Sequence, residues 1–145
     1  MADKSKFRVG STRQRPGIDE TTDDDLTVTG ALRRSREMYE NVTGNKTLDE
    51  GDGGVIQRVK ATCTITLPAT AVGRCYPIEH DGADGTLTIT ISPNASDKIM
   101  GAGFTSADDK DIVCTNGNQG DQVILVGNAD GWNVLFMQGT WVREA

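Results

Sequence analysis

From Val55 onward the apolar and polar residues alternate in short runs, which is the period of a strand with one buried face. Residues 55–59 and 62–67 form two β-branched runs of this kind. Pro68 ends the second, because proline has no N–H to give to a ladder. Residues 74–79 predict a further strand, and Pro77 within it marks an edge or a bulge. The cleanest strand covers 86–91, with Leu87, Ile89 and Ile91 on one side and Thr86, Thr88 and Thr90 on the other. Residues 111–115, 122–126, 132–136 and 139–142 complete the series. Asp81 to Gly85, Asn116-Gly117 and Asn128 to Gly131 carry the turn chemistry between them. No internal repeat of solenoid length is visible. The spacing predicts an all-β fold, a small sandwich or barrel-like (β-tulip-type) domain.

The first part of the chain is patterned differently. Residues 1–25 are polar and hold only Phe7, Val9 and Ile18 as residues able to bury much surface, too few to offset the entropy of ordering. They predict an extended N-terminal arm. Leu26-Thr-Val28-Thr is a short strand closed by Gly30. Residues 31–39 have helical propensity but no helical stripe. The alternation through Met38, Glu40 and Val42 favours a strand there. Residues 44–54 are rich in Gly, Asn and Asp. The expected organisation is an arm over 1–25, a strand-and-turn linker over 26–54, and a β-rich body over 55–145.

Charge sharpens this division. The chain has a formal net charge of −6, which argues against a general nucleic-acid binder, whose basic face would displace counterions. Residues 1–15 nevertheless carry Lys4, Lys6, Arg8, Arg13 and Arg15 against Asp3 alone, while acidic residues outnumber basic ones after residue 40. A basic arm on an acidic body can dock on an acidic surface, or simply keep the arm solvated. No apolar leader follows the first charges, and no apolar run approaches the length of a membrane span. Three cysteines, Cys63, Cys75 and Cys114, suit a reducing cytoplasm. A Cys63–Cys75 bridge between adjacent strands stays open. Three glycosylation-like triplets, at Asn41, Asn45 and Asn94, have no visible secretory signal to give them meaning.

Candidate chemistry is sparse. His80 is the sole histidine. It could act on Cys75 as a base, but no third group supports the pair, and an exposed structural role is the plainer expectation. A glycosidase needs two carboxylates in a cleft. Asp81, Asp84, Asp97, Asp108, Asp109, Asp121 and Asp130 instead fall in turn segments, where Asp bonds its own backbone. Asp81 with Asp84, or Asp108 with Asp109 and Asp111, lack the ligand spacing of a calcium loop. Gly101-Ala-Gly103 lacks the Lys-Ser/Thr of a phosphate loop. No catalytic residue, metal ligand or cofactor is therefore expected. Trp132 and Trp141 on the last strands suit the core or a subunit contact.

Over residues 48–141 a series of short motifs appears in order. Thr66-Leu67-Pro68-Ala69 comes first, then Gly73 and Tyr76 of a Gly-x-x-Tyr element. Leu87-Thr-Ile-Thr-Ile-Ser-Pro93 leads to Asp97-Lys-Ile-Met-Gly101, and Gly120-Asp-Gln-Val-Ile-Leu125, Gly131-Trp132 and Gly139-Thr-Trp141 follow. The series resembles the β modules of tailed-bacteriophage virion proteins: head decoration (cementing) proteins, head fibres and the trimeric tips of tail fibres. Nothing in the chain resembles a triple-stranded fibre shaft or a large receptor-binding tip, so the decoration class is favoured. The resemblance implies a structural, non-enzymatic homotrimer, made in the host bacterial cytoplasm and placed on the capsid outer surface. Its partner would be the major capsid protein, at quasi-three-fold sites, with neither nucleic acid nor membrane involved. The implied capsid-binding residues are Lys4, Lys6, Phe7, Arg8, Val9, Arg13, Arg15, Leu26 and Val28, and the implied trimer contacts are Trp132 and Trp141. Two alternatives are a fibre or tail-tip adhesion module binding a host-surface carbohydrate, with Tyr76 or Trp132 in its pocket, and a small polysaccharide hydrolase.

Overall fold

The computed structural model describes residues 38–145. The arm and the strand expected at 26–29, with all nine implied capsid-binding residues, lie outside the described residues.

Eleven strands make up the body. They are β1 (Tyr39–Val42), β2 (Lys46–Thr47), β3 (Ile56–Val59), β4 (Cys63–Thr66), β5 (Cys75–His80) and β6 (Leu87–Ser92), followed by β7 (Lys98–Met100), β8 (Ile112–Gly117), β9 (Gln122–Gly127), β10 (Gly131–Gln138) and β11 (Val142–Arg143). One sheet has the order β1-β3-β5-β9-β10-β7 and the other β11-β8-β6-β4-β2. The fold is all-β and sandwich-like. Val59, Tyr76, Ile78, Val123 and Leu125 of the first sheet join Ile65, Ile89, Ile91, Ile112 and Cys114 of the second in one buried cluster. Strand alternation does this directly: in β5, Tyr76, Ile78 and His80 are buried and Cys75, Pro77 and Glu79 are half-buried.

Chain path and register go beyond the sequence pattern. Through β6 the chain visits the two sheets alternately, so β1, β3 and β5 are mutually parallel, as are β2, β4 and β6. A strand reached by way of the opposite sheet re-enters in its earlier direction, which hairpin reasoning does not foresee. The turns of this coil are unequal, with Tyr39 opposite Ile56 but Cys63 opposite Ile89, so no repeat marks it in the sequence.

The body begins earlier than expected. Val42 and Leu48, within the supposed linker, are buried core residues, and the compact unit starts at Tyr39. The strand favoured through Met38–Val42 is present as β1. Lys46 ties this region together, its ammonium donating to Glu40 (2.6 Å), Asp52 (2.9 Å) and the buried Gln57 (3.0 Å).

Other expectations are corrected. Pro77 lies in an interior strand. The bond from His80 N to Asp121 O fixes the β5–β9 alternation, so the amide that Pro77 lacks would face β3, where parallel pairing is just beginning. Asn116-Gly117 forms no turn. Asn116 has φ of 50° and sits at a register shift within β8, so the pair is a bulge. The turn follows it, closed by Asp121 N donating to Asn118 O with Gly120 at φ of 95°. The turn expected at Asn128 to Gly131 is present, with Asn128 Oδ1 accepting from Asp130 N and Gly131 N.

Candidate interaction surfaces

The side chains with catalytic potential are mostly committed to the fold. His80 is wholly buried, not exposed, because it continues the inward register of Tyr76 and Ile78. Gly82 N–H points at its Nδ1 (3.4 Å), and Nε2 has no hydrogen-bond partner among the described residues. His80, Cys114 and Asp121 converge on Gly117. A Cβ built there would stand 2.7 Å from Cys114 Sγ, 2.9 Å from His80 Cδ2 and 3.3 Å from Asp121 Oδ2. Asp121 Oδ2 accepts from Asn118 N (2.8 Å) and from Cys114 Sγ (3.8 Å). Burial, and then the Asp121 carboxylate, push the Cys114 thiol up to about 11. Cys114 is thus held as a protonated thiol, the reverse of an activated nucleophile.

Cys75 and Cys63 lie on strands of different sheets and are free thiols, so the adjacent-strand bridge is not formed. Burial raises the thiol of each above its ordinary value.

The carboxylates hold loops. Asp81 takes Arg58 Nη2 (2.9 Å), Lys60 Nζ and Gln119 Nε2 (3.1 Å). The hydrogen bond from Lys60, then that from Gln119, hold its carboxyl below the usual carboxylate value. Asp84 accepts from Gln119 N, Asp97 from Thr70 N, and Asp108 pairs with Lys98 (3.1 Å). Among the described residues no group of three His, Cys, Asp or Glu side chains is placed to hold a metal ion. In the same part of the chain no helix is long and apolar enough to cross a membrane.

The aromatic candidates are internal. Tyr76 and Trp132 are wholly buried with ring centroids 5.3 Å apart, and Tyr76 Oη donates to Asp49 O (2.8 Å). Trp141 is 6% exposed and gives its indole N–H to Gln138 O (2.9 Å). Trp132 therefore has no surface to offer a neighbouring subunit, and neither Tyr76 nor Trp132 can line an open carbohydrate pocket.

What the body presents outward is two sheet faces of different character. On the five-stranded sheet, Thr47 pairs with Thr66 and Thr66 with Ser92, while Thr64 pairs with Thr90 and Thr90 with Val113. These paired residues share the outward side, giving a hydroxyl-rich face. On the six-stranded sheet, Tyr39 pairs with Ile56, Pro77 with Ile124 and Ile124 with Phe136. One residue back along the β3–β5 register, Ile56 faces Pro77. The result is an apolar row across five strands. A bulge between Val134 and Phe136 extrudes Leu135, 69% exposed, beside Phe136, 46% exposed. The outward residues were readable from strand alternation, but their alignment into a row depends on registers that the sequence does not carry.

No protein-family model and no curated protein matches the chain.

Proposed function

We propose that this chain is a structural protein of a tailed-phage particle, a decoration protein that sits as a homotrimer on the outer capsid surface and stabilises the shell. The observation that carries the reading is how its polar chemistry is used. His80, Cys114 and Asp121 are enclosed together, and Asp81, Asp84, Asp97 and Asp108 fasten loops. The remaining outward features are broad sheet faces, suited to packing. The motif series over 48–141 supplies the class.

In this reading the basic head of residues 1–25 reaches over the shell. If extended, 25 residues span roughly 80 Å at about 3.3 Å each. Leu26 and Val28 can add a strand to an exposed edge of the major capsid protein. Three arms on one trimer bind with avidity, and a ligand that prefers the assembled shell stabilises it by mass action. Deleting residues 2–25 should abolish binding to purified undecorated particles and leave the body folded by circular dichroism. Undiminished binding of the truncated chain would refute the arm's role.

A further inference from the structure

Antiparallel and mixed sandwiches with an outer face in water normally keep that face polar. The five-stranded sheet largely follows this pattern, whereas on the six-stranded sheet a polar row, Asn41, Arg58, Glu79, Gln122 and Gln138, runs beside an apolar one. The apolar row Tyr39, Ile56, Pro77, Ile124 and Phe136, with Leu135 alongside, crosses five strands, about 19 Å at about 4.8 Å per strand gap. Tyr39, Leu135 and Phe136 are exposed and Ile56, Pro77 and Ile124 half-buried, so the row is a continuous apolar strip open to a partner.

Charge selects the occupant. The chain carries a net charge of −6, so two copies repel wherever their acidic loops meet. The row itself is uncharged, and so is the whole stretch from Gly131 to Val142. Immediately beside the row, Arg58 pairs across strands with Glu79 (3.7 Å) and lies over the Tyr39 ring (5.0 Å). A margin bearing both signs can meet its own counterpart with opposite charges matched, where a margin of one sign would repel it. We propose that the occupant of this face is a second copy of the chain: copies associate by burying the outer face of the six-stranded sheet, turned toward a common three-fold axis. This rests on the homotrimeric decoration reading and replaces the buried tryptophans with Leu135 and Phe136 as the contact.

The test is the mass of the full-length protein in solution by light scattering, over a concentration series. The wild type should read three times the 15.5 kDa of one chain. Phe136→Glu and, separately, Leu135→Lys should read one chain mass while keeping the β-sheet circular dichroism of the wild type. Leu135→Lys, at the more exposed position, keeps the test decisive should Phe136→Glu misfold. Thr90→Lys, on the opposite outer face, should remain trimeric. A wild type that stays at one chain mass at every concentration overturns the inference, as does a trimer that survives both face substitutions. Particle co-sedimentation separates this from the functional reading: a trimer intact in both variants and still bound to particles overturns only the contact assigned here. Folded single-chain variants with weakened particle binding support both.

Discussion

Trp132 offers a sharp check on the packing account. Its indole is wholly buried against Tyr76, and Nε1 has no hydrogen-bond partner among the described residues. Truncation to alanine removes the largest side chain of the core, and such changes cost about 3–5 kcal/mol. Trp132→Phe is a different experiment. The smaller ring loses some contact and leaves a cavity, which costs about 24 cal/mol per Å³. It also removes a buried N–H whose unmet hydrogen bond costs about 1–3 kcal/mol. The two effects oppose each other, so Trp132→Phe should cost no more than about 2 kcal/mol, well short of the alanine variant. Urea unfolding followed by far-ultraviolet circular dichroism measures both, with the slope checked for constancy so that midpoints convert to free energy. A Trp132→Phe loss well above about 2 kcal/mol would mean that the indole N–H is bonded, and would refute the account of an unpartnered donor.

Four further outcomes follow from the same geometry. Gly139→Ala should destabilise by about 1–3 kcal/mol or more, since its Cβ would fall 2.3 Å from Asp121 Cγ at φ of 93°; a neutral effect on the urea midpoint would contradict the crowding. Tyr76→Phe should cost about 0.5–1.5 kcal/mol on the same urea midpoint, because it removes one neutral hydrogen bond to a carbonyl that still accepts from Asp52 N. Asp81 has its carboxyl pKa depressed in the fold, so its contribution is present above the ordinary aspartate value of about 4 and is lost as pH falls through the lower folded value. Asp81→Asn should accordingly flatten the acid side of the stability profile, and an unchanged acid limb would count against the Lys60 and Arg58 contacts. Native alkylation read by mass spectrometry should modify half-buried Cys75 before the buried Cys63 and Cys114; early modification of Cys114 would contradict its enclosure.

Strand existence was largely visible in the sequence. The Leu87, Ile89, Ile91 alternation is strand β6 with Ile89 and Ile91 buried, and the Asn128 turn is the β9–β10 hairpin. Short strands escaped. Lys46–Thr47 and Lys98–Met100 have too few residues to show a period, and they pair through partners distant in the sequence. The parallel coil was hidden because its turns differ in length. His80 reads as exposed in the sequence because a polar residue beside Glu79 and Asp81 suggests a loop lip, whereas the strand register carries it inward. The outward apolar row needed register as well as pattern: Pro77, Ile124 and Phe136 are far apart in sequence and meet only through β9.

Copy number is the most direct check on the proposal that this chain coats a capsid. Quantitative protein-mass analysis of purified particles gives the ratio of this chain to the major capsid protein. A shell-wide coat requires a ratio near one, or a simple large fraction of one. A ratio near zero would place the chain at a tail, neck or vertex and contradict the decoration reading.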